Sequence, residues 1–369
     1  MIKWRPAVWA GAPRRFGAAA PQIHPKLAVE HLGAVAGCDF FQASKVQLNV
    51  VFKPGAFGGQ LMAQSLNAAH VSSASAANAH TGSSLWVLSS QMSSFMGPVL
   101  LESDVYYRVS TIRQSGKAFL TKRVQAFQLE PEEKLDGVEE VAATILHKPV
   151  LFESTVALYQ AGQSRTGVVC PADLPVRLKE TQNVLEDSLS LEDVAALIKG
   201  GHLRRGVLYR TAMHLARKMS LPDLLLSIRF PKKDVESSVT GSNVTGYWVG
   251  IHPSLHAGLG PGNPARLLLP YTSDGMTQVL AFSDPLDSLW EAWPRSLTVW
   301  NYGMWFSQST PPDLAPAIVG SPPTETKWFF LEYSMQGLEH DLGLGHVKLF
   351  DWPSKNMMAS STFHALCRK

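Results

Sequence analysis

The sequence predicts an α+β protein in which a curved antiparallel sheet wraps round a central helix, twice over. Three observations carry this. Two regions repeat one order: an extended segment, a mostly apolar helix, then several long runs. Each helix is apolar on most sides and carries small residues, as suits burial. The long runs alternate polar and apolar residues, the pattern of a sheet with one buried face.

In the first region, KVQLNVVF from Lys45 is extended, and AFGGQLMAQSLNAAH from Ala56 is helical. Leu61, Met62, Ser65, Leu66 and Ala69 recur at helical spacing behind two glycines. Strands are expected at LWVLSSQM from Leu85, DVYYRVSTI from Asp104, AFLTKRVQAFQ from Ala118 and VAATILH from Val141. The second region starts with strands at LLLSIRF from Leu224 and YWVGIH from Tyr247, and LPYTSDGMTQVLAF then opens a helix. Strands follow at SLTVWNYGMWF, KWFFLEYSMQGL, GHVKLFDW and NMMASSTFHALC. These patterns divide the chain into a leader at 1–29, a unit at 30–155, a helix-bearing linker at 156–204 and a second unit at 205–369. DVESSVTGSNVTG from Asp234 reads as a polar surface loop.

The bulk numbers exclude several classes. The chain has 369 residues, 45% hydrophobic and 17% charged, with a net charge of +3. That supports a sizeable core in two domains of ordinary size. No basic block tracks a phosphate backbone, which argues against a nucleic-acid partner. Cys38, Cys170 and Cys367 are odd in number and far apart, so neither a disulfide framework nor a metal spacing is present, and an intracellular, reducing compartment is expected. No apolar run reaches membrane-spanning length. The first 29 residues hold Lys3, Arg5, Arg14, Arg15 and Lys26 and no acid. They read either as a disordered leader or as a mitochondrial presequence; cytoplasmic and peroxisomal locations stay open. His340 and His346 are separated by Gly343 and Gly345, which indicate a hairpin turn rather than a metal pair. No metal and no cofactor is expected. Asn243 begins a glycosylation sequon that nothing else supports.

The order of AFGGQLMAQSL, FMGP at Phe95–Pro98, SGKAFLTKRVQAFQ at Ser115–Gln128, LPYTSDG and GMWF at Gly303–Phe306 resembles that of acyl-CoA thioesterase II proteins. It covers roughly residues 30–155 and 205–369. The resemblance implies a tandem, double hot-dog fold and hydrolysis of acyl-CoA or acyl-carrier thioesters. It also implies that an aspartate, a hydroxyl residue and a glutamine orient the attacking water. The aspartate maps to Asp274, within Tyr271-Thr272-Ser273-Asp274. The hydroxyl position falls on Val299 with Thr298 beside it, and the glutamine position falls on His364. This sequence departs from the family at Asn301, Gly250 and Ser94 as well. The scaffold is kept and the site is edited.

The chemistry sets what these residues would do. Thioester hydrolysis needs an activated water and a stabilised oxyanion. A helix N-terminus offers free N–H groups and partial positive charge, so Gly58 and Gly59 in one half, and Gly275 and Met276 in the other, are candidate donors. Asp274 at such a terminus would be a base or a water anchor; equally, it would be an ordinary N-cap. His364 can donate or accept and titrates near neutrality; it is also an ordinary strand histidine. Thr298 is a candidate hydroxyl or a plain strand threonine. Gln60 touches ligand or caps its helix. Trp305, with Trp300 and Phe306, lines an acyl tunnel or fills core. Three functions remain open: a thioester hydrolase; a dehydratase, cyclase or isomerase on the same scaffold; and a non-catalytic acyl-binding protein. Assembly into homo-oligomers through surface strands is open too.

Overall fold

The computed structural model describes residues 23–46, 48–49, 55–78, 86–101, 103–115, 118–129, 133, 137–160, 174–200, 225–237, 246–256, 266–274, 296–307, 326–339, 342–352 and 354–368. Residues 1–22, Cys170, Asn243, Gly275, Met276 and His340 lie outside them.

The chain opens with a hairpin of β1 (Val29–Val35) and β2 (Cys38–Ala43). Its two-residue loop places Ala36 and Gly37 at φ of 52° and 77°, the double positive φ of a tight hairpin turn. A small ribbon of β3 (Leu48–Asn49) and β4 (Gly55–Ala56) leads into helix α1 (Gly58–Asn78). Then come β5 (Trp86–Phe95), β6 (Val105–Ser115), β7 (Phe119–Gln128), helix α2 (Val138–Ile145) and β8 (Phe152–Gln160). Helix α3 (Val176–Glu180), β9 (Ser188–Ser190) and helix α4 (Leu191–Lys199) follow. The rest holds β10 (Leu226–Pro231), β11 (Gly246–Ile251), a helix at Leu268–Asp274, and β12 (Ser296–Phe306). It ends with β13 (Lys327–Glu339), β14 (Leu342–Asp351) and β15 (Met357–Arg368). Pro270 is tolerated in its helix because it occupies the first turn, where no i−4 partner is needed.

Thirteen strands form one antiparallel sheet in the order β1-β2-β6-β7-β8-β5-β12-β15-β14-β13-β11-β10-β9. Outward from the β5–β12 seam, each half repeats a pattern. The strand that follows the helix pairs with the last strand of its half, which pairs with the third, and the third with the second. The core lies between the sheet and the helices: Leu61, Met62 and Leu66 of α1, Leu268 and Leu269, and inward residues such as Tyr107, Val156 and Met304 are buried in one cluster.

Several sequence expectations change. VAATILH is helix α2, not a strand; Val141, Ala142 and Ile145 share its buried face, and Glu139 and Glu140 favour its first turn. The strand expected there is β8, which runs to Gln160 and pairs with β5 and β7. Residues 156–204 are not wholly outside the sheet, since β9 pairs with β10 at its edge. Part of the stretch read as a leader is packed: Leu27 is in the core, and Asn67 and Gln64 of α1 donate to the carbonyls of Leu27 (2.9 Å) and Lys26 (3.0 Å). Asp234, read as part of a surface loop, is buried and takes a hydrogen bond from Arg177 Nε at 2.5 Å. Gly343 and Gly345 lie within β14 rather than in a turn; a Cβ on Gly345 would fall 2.2 Å from the Phe363 ring. Among the described residues no group of three or more His, Cys, Asp or Glu is placed to hold a metal, and no helix is long and apolar enough to cross a membrane.

Arg266 ties the halves together. Arg266 is 3% exposed, and its guanidinium donates to the carbonyl of Leu88 in β5 and, at 2.9 Å, to that of Ser307 just after β12. Replacing it takes a donor from one buried and one half-buried carbonyl. Arg266→Leu is therefore expected to lower stability by about 3 kcal/mol, read as a fall in Tm or in denaturant midpoint.

Candidate active site

The two helices meet at their aromatic entries. Phe57, just before α1, packs edge-on against Tyr271 with ring centroids 4.9 Å apart at 85°. Three residues beyond Phe57 stands Gln60; three beyond Tyr271 stands Asp274. The helices approach closely because Gly58 and Gly59 lack side chains. A Cβ on Gly58 would lie 3.0 Å from Asp274 Oδ2, and one on Gly59 would lie 2.9 Å from the Pro270 carbonyl.

Asp274 is 3% exposed. The Gly59 N–H donates to its Oδ2 at 2.7 Å, and the Gly58 N–H also supports it. The carboxylate thus sits on the N-terminus of α1, where the helix dipole favours negative charge. This corrects the expectation that Asp274 opens its own helix. It is the seventh residue of Leu268–Asp274, and the helix it caps belongs to the other half of the chain. Burial still dominates its protonation: loss of water raises its pKa from 3.8 to about 6, and the two N–H donors pull only partly the other way.

A hydroxyl trio lies beside it. Tyr302 on β12 has its oxygen 2.6 Å from Ser273 Oγ and 2.9 Å from Ser361 Oγ on β15. Ser273 donates onward to the Pro270 carbonyl at 3.1 Å, so Tyr302 donates to Ser273 and accepts from Ser361. Burial raises the Tyr302 pKa, and the neighbouring Asp274 charge adds to that; the phenol stays protonated. Its ring stacks on Phe363 at 6.3 Å and 12°. Gly345 leaves the room in which that Phe363 ring lies.

The other expected residues are placed differently. His364 does not reach Asp274: Ser361, Phe363 and Ala365 face the core and His364 is exposed on the opposite, outer face, opposite Asn301. Trp305 is on that outer face as well, 45% exposed, while Tyr302, Met304 and Phe306 point inward; it lines no tunnel beside the helices. Thr298 has its backbone in β12, opposite Leu366, and its side chain lies outside the described residues. Gln60 is buried and donates to the Lys45 carbonyl at 3.2 Å, a structural bond. Sequence reasoning missed Tyr302 and Ser361. The signal was there: both share the inward parity of Met304 and of Phe363.

No protein-family model matches the sequence, and no curated protein does. Solved structures do match. The chain superposes on acyl-CoA thioesterase II TesB2 from Mycobacterium marinum with a TM-score of 0.50 at 16% identity, covering 93% of this chain and 96% of that one. It superposes on a thioesterase II candidate from Thermobifida fusca YX with a TM-score of 0.56 at 11% identity, covering 94% and 100%. The fold is a hot-dog fold. At these identities the likeness is one of fold, and roles must be argued from the site.

The Asp274 pKa sets a pH dependence of stability. The folded state holds this proton more tightly than the unfolded chain does. Its contribution is therefore lost as pH rises from about 4 to about 6, and is flat outside that window. The gap of about two units amounts to about 3 kcal/mol. Asp274→Asn keeps an acceptor for Gly59 and carries no charge. It is expected to flatten this slope and to melt at a higher temperature than the parent at pH 8, with the two closer at pH 4. Equal Tm values at pH 8 would sink this account.

Proposed function

We propose that this chain is an acyl-CoA thioesterase-like hydrolase built from two hot-dog units, one ending at β8 and one running from β10, with a single site at Asp274. The observation that carries it is the Asp274 carboxylate, buried where the two halves meet, seated on the α1 N–H groups, and raised to a pKa of about 6. A base poised near working pH suits general-base catalysis, and helix N–H donors suit an oxyanion. The likeness in fold to acyl-CoA thioesterase II adds to this.

In this reading a water attacks the thioester carbonyl while Asp274 takes its proton. The carboxyl becomes neutral as the carbonyl oxygen becomes an anion. The Gly58 and Gly59 N–H groups then serve the oxyanion in place of the carboxylate. Collapse of the tetrahedral intermediate breaks the C–S bond, and Asp274 returns the proton to the leaving thiolate. The products are a free acid and a thiol. Tyr302, through Ser273, holds the helix that carries Asp274.

One observation favours a second reading. Burial and the 2.7 Å bond from Gly59 are also what a purely structural cap across the halves would display. Such a protein would bind acyl groups without cleaving them. Thiol release from a panel of acyl-CoAs separates the two. Hydrolysis is expected for at least one chain length, rising with pH through about 6 as Asp274 ionises. Asp274→Asn should fold and lose about 10²–10⁴-fold in kcat. His364→Gln, on the outer face, should change the rate by no more than about twofold. Parent activity in Asp274→Asn would reduce the carboxylate to a cap; loss of acyl substrate with no thiol would point to dehydratase or isomerase chemistry instead.

A further inference from the structure

A cavity of about 870 Å³ opens at the end of the β1–β2 hairpin remote from its turn. Its walls come from both halves of the chain. The segment that leads into β1, the end of β2 and Asp104 before β6 belong to the first half; Ser254, in the short helix Pro253–His256, belongs to the second. The volume is that of a small-molecule site, and Ile23, Pro25, Val29 and Ala43 give it apolar walls. Two carboxylates stand on it, Glu30 and Asp104. Glu30 pairs with Gln42 across β1 and β2, and Gln42 Nε2 donates to Asp104 Oδ2 at 2.9 Å. The two acids thus flank Gln42, with their backbones about two strand spacings, or about 10 Å, apart.

Neither acid is answered by a cation of the protein. Among the described residues, no lysine, arginine or histidine side chain comes within ion-pair distance of Glu30 or Asp104. The imidazole on the cavity wall, His24, is held below its ordinary range by burial first, and then by the nearby Lys26 and His252. It is neutral above pH 7 and does not cancel the two charges. The acids are too far apart to share one metal ion, and among the described residues no third ligand joins them. What fits is a ligand with a positive charge at each end and an apolar middle. We propose that this cavity binds an aliphatic diamine or polyamine, with one ammonium on Glu30, one on Asp104, and the methylene chain along the apolar wall. The Gln42 side chain between the acids holds Asp104 in place through its amide. An occupant also touches the second half at Ser254, so it bridges the halves and stabilises the folded chain by mass action.

The test is calorimetric titration of the full chain with putrescine, a four-carbon diamine, at low ionic strength, where charge pairs are least screened. Saturable binding of one molecule per chain is expected, with a rise in Tm. Butylamine, which keeps one ammonium and the chain, should bind about tenfold more weakly, and butanediol should not bind. Glu30→Gln and Asp104→Asn should each weaken putrescine about fivefold and leave the far-UV spectrum unchanged. Should Asp104→Asn unfold, Glu30→Gln decides. Asp274→Asn should bind putrescine as the parent does, so this site and the proposed hydrolytic one stand or fall separately. An absence of saturable binding overturns the proposal. So does butylamine binding as tightly as putrescine, or putrescine binding that neither substitution weakens, which would be general attraction to acidic residues elsewhere.

Discussion

Enclosing α1 on all sides is the constraint from which much of the structure follows. Buried polar groups must find partners within the protein, and this helix carries many. Gln64 accepts from Tyr107 Oη at 2.8 Å and donates to the Lys26 carbonyl, which fixes the chain entry against β6. Ser65 accepts from Gln91 at 2.8 Å, and Ser72 joins Lys122 to Asp39. The unpaired N–H groups at the helix start pose the same demand in sharper form, because a helix leaves its first donors unsatisfied. No side chain of α1 answers it. Asp274, from the other half, does.

That solution has a cost. A carboxylate in this position is desolvated, and its two N–H donors compensate only in part, so its proton affinity rises into the neutral range. The group is less stable ionised than it would be in water, and more useful as a base for the same reason. Around it, hydroxyls rather than charges complete the surroundings: Tyr302, Ser273 and Ser361 form a chain in which each oxygen has a role and none needs to ionise. The edited appearance of the sequence, with His364 where a glutamine was expected, therefore does not describe an altered triad. Among the described residues, Tyr302 and Ser361 join Ser273 beside Asp274, and His364 does not.

How far the sequence discloses this depends on what each pattern encodes. Long alternating strands such as SLTVWNYGMWF were readable, because alternation reports burial of one face directly. VAATILH was not: its apolar residues are dense enough to fit either period, and only the buried triplet Val141, Ala142 and Ile145 separates them. The misassignment hid β8 behind it. For the site, Asp274 stood out as a carboxylate among apolar residues, but its partner lies 215 positions away and no local pattern gives that distance. His364 failed by strand parity: it alternates with Phe363 and Ala365, which face the core.

The pairing of Phe57 with Tyr271, and the equivalent stations of Gln60 and Asp274 beyond them, have a consequence for how such a site can change. In an assembly of two identical chains, any substitution appears at both stations at once, and each must tolerate the other's residue. Here both stations are written into a single chain. One can lose its carboxylate and become scaffold while the other keeps it. The glutamine that donates to the Lys45 carbonyl and the aspartate that caps α1 can therefore differ.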